Sequence, residues 1–181
     1  IDCIDEWERP ESFGDDVVIV LRGLSRYQPK LGQINLMWNI NHPDKIQDDE
    51  YEEFDHVFVA SRIHAADLAR RLRKPVSTLL QCTDPYLFYP DPNPAVPAEE
   101  LLFVGNSRKQ YREAVRFAVQ AKMPIGVYGT LWSMFLPLDY IRGEYIDNSV
   151  LRQHYSRCTI LLNDHWSSMR DRGFISNRLF D

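Results

Sequence analysis

The chain has 181 residues, of which 44% are hydrophobic and 12% aromatic, and its formal net charge is −5. This composition supports a folded core and excludes a disordered chain, and no apolar run reaches the length of a membrane span. Residues 1–60 carry 14 acidic and 5 basic residues, whereas residues 61–181 carry 12 acidic and 16 basic ones. The second part is the expected location of an anionic ligand, but its basic excess is too small to predict a nucleic-acid surface.

The three cysteines, at positions 3, 82 and 158, are few, odd in number and far apart. They argue against a disulfide framework or a Cys-rich metal site and favour reduced thiols in the cytoplasm. The sequence shows no basic region followed by an apolar stretch at its start, so no export signal is visible. Because it opens on Ile1 rather than Met, we do not take this as proof of location.

The first part of the chain predicts strands that alternate with helices. Four apolar runs predict strands at 16–23, 33–40, 56–60 and 76–80. Ser61 is the expected cap of a helix with one apolar face, made of Ala65, Leu68, Ala69 and Leu72. The acidic segment 48–53 is interpreted as a solvated helix face or connection, since its ligand types are not mixed as a metal site requires. The alternation predicts a parallel sheet with right-handed crossovers.

His42 lies in the polar loop that follows the second predicted strand. In open parallel sheets the ligand lies beyond the carboxyl ends of the strands, where this loop is expected. A histidine before Pro43 is well placed to contact a substrate or to act as a base, although a lone histidine is more often structural.

A proline-rich segment separates the two parts of the chain. Five of the 11 prolines fall between residues 85 and 97. Proline continues neither a helix nor a central strand, so this segment predicts an extended, stiff connection. We place a domain boundary there, which gives domains 1–92 and 93–181.

The stretch Leu101–Arg112 predicts a strand, a turn and a basic helix. Leu101–Val104 is a continuous apolar run, and Gly105–Ser107 follows as a turn and helix cap. The helical face consists of Tyr111, Ala114, Val115 and Ala118, with Arg108, Lys109 and Arg112 in the first turns. Three cations at a helix N-terminus oppose the macrodipole unless an anion lies among them. A phosphate site and a solvated basic turn fit this stretch equally well.

The rest of the second part continues the alternation. We expect a strand at 125–129, a partly exposed aromatic segment at 131–140, a helix capped by Asn148, and a buried strand at 158–163. The last residues, from Gly173, predict a turn into a helix that has hardly begun at Asp181. We therefore expect the chain to be a piece of a larger protein.

A second anion-binding helix start is predicted at Ser176–Arg178, although a capped helix with one surface arginine explains the same residues. In a doubly wound sheet this loop and Gly105–Arg108 are expected to hold one diphosphate from two sides. Asp181 is then placed to accept a sugar hydroxyl, or it complements the helix dipole. Tyr128, which precedes Gly129, and Trp166 either flank a ring of the ligand or pack at the rim of the site. His165 follows the predicted strand at 158–163 and has the same two interpretations as His42, a ligand contact or a structural residue.

Several catalytic motifs are missing from the sequence. One glycine stands where the dinucleotide pattern Gly-x-Gly-x-x-Gly needs three, which disfavours a nicotinamide-dependent oxidoreductase. There is no Walker A lysine motif, no Gly-x-Ser-x-Gly nucleophile and no spaced histidine metal set. The remaining chemistry depends on positioning and charge stabilisation, as in group transfer from an activated nucleotide.

Four motifs in order resemble the spore-maturation-type glycosyltransferases, relatives of the group 1 (GT4-like) enzymes. They are Phe103–Arg108, Val127–Gly129, Ile160–Asn163 and Asn177–Asp181. The similarity spans most of residues 16–181, and the order of the motifs is more specific than any one of them. It implies a GT-B architecture, in which two Rossmann-like domains face each other across a cleft.

The resemblance also implies roles for individual residues. The nucleotide-sugar donor lies on the C-terminal domain, the glycan or small-molecule acceptor mainly on the N-terminal one, and neither a metal nor a further cofactor is required. Gly105, Asn106 and Arg108 resemble the phosphate-side loop, and Asn177 and Arg178 the second phosphate contact. Asp181 stands where relatives contact the donor ribose, and His42 falls in a loop comparable to one with a donor-contacting histidine. Tyr128 and Gly129 complete the predicted donor-binding set.

The sequence departs from the family pattern at Gly173, eight residues before Asp181, where a Glu is usual. The Ala/Cys/Gly-rich segment after Asp181 and the start of the first domain are absent. The sequence therefore predicts a cytoplasmic glycosyltransferase, with peripheral membrane association left open. The alternative is a non-catalytic nucleotide- or sugar-binding module that keeps the fold.

Overall fold

The structure, a computed structural model, describes residues 16–181, so the acidic residues 1–15 with Cys3 lie outside it. Its strands are β1 Val17–Arg22, β2 Ile34–Asn39, β3 His56–Val59, β4 Val76–Thr78, β5 Glu99–Val104, β6 Ile125–Tyr128, β7 Ile141–Gly143 and β8 Cys158–Leu162. Its α-helices are α1 Asp48–Glu52, α2 Arg62–Arg71, α3 Glu113–Gln120, α4 Asn148–Arg157 and α5 Ser167–Asp171. Short 3-10 helices lie at Pro43–Lys45, Trp132–Met134, Leu138–Tyr140 and Asn177–Leu179. Among these described elements, none is a helix of the length and apolarity needed to span a bilayer.

The described chain forms two compact units. The first contains the residues up to Gln81 together with His165–Ser176, and the second contains Cys82–Asp164 together with Asn177–Asp181. Each unit contains a four-stranded sheet in which all pairs are parallel. The predicted α/β class with parallel sheets flanked by helices is confirmed. The predicted domains 1–92 and 93–181 stay a prediction; by contacts the chain divides after Gln81, and the segment 165–176 returns to the first unit.

The first sheet has the sequential order β1-β2-β3-β4. Its buried face packs against the helices through residues that include Met37, Phe54, Val57, Val59 and Leu68, none of them measurably exposed. The alternate residues of β1 and β2 point the other way, and four of them are about half exposed or more: Val17 49%, Ile19 62%, Leu21 54% and Ile34 51%. Right-handed connections in a sequential sheet lie on one side, so within residues 16–181 no helix covers the other, apolar face.

Helix α5 was not expected from the sequence, because five residues are too few to establish a helical period. Its Met169 and the following Phe174 are buried in the core of the first unit. Gly173 ends the helix with φ 69, and a Cβ there would lie 2.9 Å from Ile63 Cδ1 and 3.2 Å from Ser61 Oγ. Both backbone conformation and packing therefore favour a glycine at this position.

The second sheet has the order β7-β6-β5-β8, so β5 is central and β8 is an edge strand. Helix α3 covers one face with Val115 and Ala118, which pack with Phe103 and Val127. Helix α4 covers the other face, where the His154 ring lies 5.1 Å from the Tyr128 ring. The prediction of a buried strand at 158–163 is wrong in one respect, since Ile160 at the edge is 51% exposed.

The proline-rich segment packs along α4 in the second unit. The Asp91 N–H donates to Ser156 Oγ at 2.8 Å, and the Ala95 N–H donates to Gln153 Oε1 at 3.1 Å. The segment is not extended throughout, since it opens on a turn in which the Leu87 and Phe88 N–H groups donate to the Asp84 carbonyl at 3.0 and 2.8 Å. Its later part is held by the hydrogen bonds to α4. The predicted cap of that helix was one residue late: Asp147, not Asn148, accepts the Ser149 N–H at 2.8 Å.

His64 couples the first unit's stability to pH. Its side chain is 4% exposed, and its ring lies 5.6 Å from the Phe174 ring and 6.5 Å from the Tyr51 ring. Burial, together with the positive charges of Arg172 and Arg71, lowers the pKa of His64 to about 4. Because the folded pKa is lower than the unfolded one, the unfolded state binds more protons between pH 6.5 and pH 4, and stability falls as pH falls through that range.

We expect wild type to lose roughly 2 kcal/mol of unfolding free energy through His64 between pH 7 and pH 5. Urea denaturation of wild type and His64→Phe at both pH values measures this, since the variant keeps the ring and removes the titration. His154, whose pKa burial also lowers, remains in both proteins and cancels in the comparison. Equal pH slopes for the two proteins would contradict the assignment.

Candidate functional site

The second sheet contains a topological switch point between β5 and β8. The chain leaves β5 towards β6 on one side and reaches β8 on the other, so the loops that follow these two strands diverge. In open α/β sheets the crevice between such loops is the usual ligand site. This rule places the crevice of the second unit between Gly105–Arg112, after β5, and Asn163–Asp164, after β8. The first sheet, with its sequential order, has no such reversal among its described strands.

The loop after β5 is fixed by hydrogen bonds to the residues after β6. The Gly105 N–H donates to the Tyr128 carbonyl at 2.8 Å, and the Ser107 N–H donates to the Thr130 carbonyl at 3.1 Å. In return, the Thr130 N–H donates to Asn106 Oδ1 at 2.8 Å. The N–H groups of Gly105 and Ser107 and the side-chain oxygen of Asn106 are thus used within the protein. In this arrangement they hold the loop in place and do not form a ready anion cradle.

Gly129 allows the two loops to approach each other. It has φ 139, and a Cβ at this position would collide with the Gly105 carbonyl oxygen and lie 2.9 Å from the Asn106 backbone nitrogen. The Trp132 indole also donates to the Gly105 carbonyl, at 2.8 Å. The structure therefore explains Gly105 and Gly129 by close backbone packing at the carboxyl ends of β5 and β6.

The predicted helix start was placed too early. Helix α3 begins at Glu113, with Arg112 at its N-cap, and not at the Ser107 turn. Ser107 is buried, and its hydroxyl donates to the Leu131 carbonyl at 2.9 Å. Arg108 and Lys109 are exposed and have left-handed backbones, with φ 52 and 61. These two cations lie in a loop before the helix, so the expected conflict with the helix dipole does not arise.

An ion pair joins the two loops across the switch point. Arg112 Nε donates to Asp164 Oδ2 at 3.1 Å, and a second bond joins Arg112 Nη2 and Asp164 Oδ1. The side chains are only 13% and 18% exposed, and Arg112 Nη1 also donates to the Asn106 carbonyl at 3.3 Å. The guanidinium carbon lies 5.5 Å from the centre of the Phe103 ring. No motif in the sequence indicates Asp164, because only the strand order brings it opposite Arg112.

The other predicted donor residues of the second unit have different partners. The Thr83 hydroxyl donates to Asp181 Oδ1 at 2.8 Å. Burial raises the pKa of Tyr155 to about 12, and the nearby Arg178 guanidinium opposes this shift. Tyr155 lies near the end of α4, towards the amino ends of the strands, whereas Gly105 follows a carboxyl end. These contacts do not join Asn177–Asp181 to the loop after β5, and their shared grip on a diphosphate stays a prediction.

Residues 177–179 form one 3-10 turn, so the predicted start of a longer helix at Ser176–Arg178 is not formed within the chain. The Ser176 N–H donates to His165 Nε2 at 2.9 Å in the first unit. His165 therefore holds the returning segment, a role for which its position after β8 gave no signal. Tyr128 packs edge-on against the His154 ring, and burial raises the pKa of the Tyr128 hydroxyl.

His42 belongs to the first unit and follows β2, as predicted. It has φ 46 and ψ 49, a left-handed backbone that is uncommon for a residue with a side chain. Its carbonyl accepts the Lys45 N–H at 3.0 Å, which closes the 3-10 turn of Pro43–Lys45. Strained backbones occur disproportionately at functional sites, so the catalytic role of His42 stays a prediction with this observation beside it.

Gly129→Ala should be strongly destabilising, because the added methyl group meets Gly105 and the backbone must keep a positive φ. We expect a loss of about 3 kcal/mol or more. Gly32 is the matched control, since it has φ 87 but nothing within 4 Å of an added Cβ. Gly32→Ala should cost only about 1 kcal/mol. Thermal unfolding compares the two, and equal losses would contradict the packing role of Gly129.

Asp164→Asn should lower the unfolding free energy by about 1–3 kcal/mol, because it leaves Arg112 mostly buried without its counter-charge. The double variant Arg112→Met with Asp164→Leu removes both charges and should be less destabilised than the sum of the single changes. Urea denaturation of wild type, Arg112→Met, Asp164→Leu and the double variant forms a double-mutant cycle. A coupling energy near zero would show that the pair does not hold the loops together.

Among residues 16–181 no group of three or more His, Cys, Asp or Glu side chains is placed to hold a metal ion. No family model matches the sequence, and neither a curated protein nor a solved structure matches it.

Proposed function

We propose that the protein is a glycosyltransferase of GT-B type, which transfers a sugar from a nucleotide-sugar donor to a glycan or small-molecule acceptor. The observation that carries the proposal is the switch point of the second sheet, beside which the motif Phe103–Arg108 lies. A doubly wound parallel sheet with a crevice at this position is the architecture that binds nucleotides. The order of the four motifs along the chain supports the same function.

Charge supports the donor side of this proposal. Arg108 and Lys109 are exposed beside the switch point on a backbone that is left-handed at both residues. In transfer, an acceptor hydroxyl forms a bond to the anomeric carbon while the bond from that carbon to the diphosphate oxygen breaks. Negative charge develops on the leaving diphosphate, and a fixed cation stabilises it. We assign this role to the Arg108 side chain. The N–H groups of Gly105 and Ser107 are used within the protein, so the diphosphate is held by side chains and not by these backbone groups.

The remaining assignments follow the resemblance. Asn177 and Arg178 form the second phosphate contact, Asp181 contacts the ribose, and His42 acts as the base or as a donor contact. For Asp181 this requires that the donor replace the Thr83 hydroxyl, which now occupies its carboxylate. Since Arg178 lies near Tyr155, towards the amino ends of the strands, the segment Asn177–Asp181 must also move to reach a diphosphate held by Arg108. A cytoplasmic location and an absence of an obligatory metal belong to this proposal.

A second function, a non-catalytic nucleotide- or sugar-binding module, is favoured by one observation. Gly173 stands where related enzymes have a glutamate, and here its left-handed φ and its contacts with Ile63 and Ser61 disfavour a side chain. A glutamate at this position would have to keep the left-handed backbone and displace the Ile63 side chain. A module that binds donor and never turns it over keeps the fold without that acid.

Calorimetric titration with UDP-, GDP- and TDP-sugars tests the binding that both functions share. We expect one donor class to bind and Arg108→Ala to weaken it by about tenfold or more. Lys122→Ala is the matched control, because Lys122 is also an exposed cation with a left-handed backbone, φ 57, in the same unit. It should bind as wild type does. Absence of binding to all three donor classes would overturn the proposal.

Turnover separates the enzyme from the module. At saturating donor the enzyme releases free nucleotide diphosphate by transfer or slow hydrolysis, whereas the module binds and releases none. His42→Asn should reduce the release rate while leaving the affinity for donor within about threefold, if the histidine acts as the base. A loss of affinity with an unchanged rate would instead identify His42 as a donor contact.

A further inference from the structure

One side chain at the switch point has a polar group without a use in the protein. Asn163 is the first residue after β8, and its Nδ2 atom is buried and has no hydrogen-bond partner among the described residues. Buried side-chain amides are almost always hydrogen-bonded, and an unmade bond costs the full desolvation of the N–H group. Such an atom in a folded chain requires an explanation, and a ligand that supplies the missing acceptor is one.

The position of Asn163 supports this explanation. Leu162 pairs with Phe103 in the register of β8 and β5, so Asn163 lies level with Val104, one residue before Gly105. Asp164 is the next residue, and its ion pair with Arg112 fixes the loop to which Asn163 belongs. The unused donor is thus at the carboxyl ends of the two strands between which the crevice opens.

The surroundings select the chemistry of the acceptor. Asp164 is adjacent in sequence, and its charge is compensated by Arg112, so this ion pair has no net charge. A phosphate would gain no counter-charge from the pair, whereas a hydroxyl oxygen requires none. A neutral amide N–H next to a compensated carboxylate suits an alcohol, which accepts from the first and can donate to the second.

We propose that Asn163 donates its side-chain N–H to a sugar hydroxyl of the ligand, and that this contact distinguishes sugar from phosphate at the switch point. The inference rests on the proposed function and adds to it a residue outside the predicted donor-binding set. In the free protein the unbonded N–H group of Asn163 lowers the stability of the fold, and a bound sugar hydroxyl supplies the missing hydrogen bond. Ligand affinity and the stability of the free chain should therefore respond oppositely to its removal.

The test uses Asn163→Leu, which keeps the size of the side chain and removes the N–H group, and Asn163→Ala as a second variant. Asn93→Ala is the control, since Asn93 is an exposed asparagine of the same unit. Each protein is titrated with the donor that wild type binds, and its thermal unfolding is measured without ligand. We expect about tenfold weaker binding for both Asn163 variants and an unfolding temperature for Asn163→Leu equal to or above that of wild type.

The two sources of a sugar hydroxyl are separated by titrating wild type and Asn163→Leu with UDP, 2′-deoxy-UDP and UDP-glucose, or with the corresponding compounds of the base that binds. If the ribose supplies the hydroxyl, the variant and wild type bind the deoxy compound alike. If the transferred sugar supplies it, they bind UDP alike and differ only for UDP-glucose. Either result supports the proposal.

The role of Asn163 is overturned if Asn163→Leu binds donor as wild type does, or if it unfolds at a clearly lower temperature with unchanged affinity, which would show that the amide is structural. Should neither Asn163 variant fold, the wild-type side-chain amide resonances decide: an Asn163 NH₂ signal that does not move on donor binding overturns the role. Absence of donor binding by wild type would overturn the proposed function and this inference together.

Discussion

The contact between Gly105 and Gly129 is the constraint on which the second unit depends. β5 and β6 end side by side, and their following loops must cross within backbone contact distance before the chain can continue to α3 and β7. The absence of a Cβ at Gly129 permits this, and the Trp132 indole then closes the contact by donating to the Gly105 carbonyl. The loop after β8 lies on the other side of the switch point, and Arg112 holds it in place by its ion pair with Asp164.

Seven of the eight described strands could be predicted from the sequence, because each of them contains an apolar run bounded by polar or glycine residues. Leu101–Val104 and Ile125–Tyr128 are clear examples, and Ser61 caps α2 as its sequence context indicates. β7 was missed, since Ile141-Arg142-Gly143 has no apolar run. The start of α3 could not be predicted in the same way. Ser107 has the chemistry of a cap, but its hydroxyl is taken by the Leu131 carbonyl, a contact that depends on the β5–β6 pairing. Tertiary structure therefore decided between two positions that local preference allowed.

The site shows the same limit. The positions of Gly105 and Gly129 at strand ends were predictable, but their role was not, since a glycine for a ligand and a glycine for a crossing loop look alike in sequence. Asp164 was missed because it belongs to no recognisable motif, and Asn163 was part of the motif Ile160–Asn163 but had no assigned role. They become significant only when the order β7-β6-β5-β8 places β8 beside β5 and so creates the reversal. Strand order is set by long-range pairing. Apolar patterns predict where strands lie along the chain, but they do not indicate which strands are neighbours in the sheet.

The first sheet has a consequence for handling the protein in solution. In the part of the chain that the structure describes, its sequential order leaves one face without a helix. Val17, Ile19 and Leu21 of the edge strand β1 lie exposed on this face, with Ile34 of β2. An apolar face beside an open strand edge is a surface on which proteins associate. Salts that strengthen apolar burial, such as sulfate, will thus promote self-association of this chain even where they stabilise its fold. Colloidal behaviour and conformational stability will respond to the same salt in opposite directions.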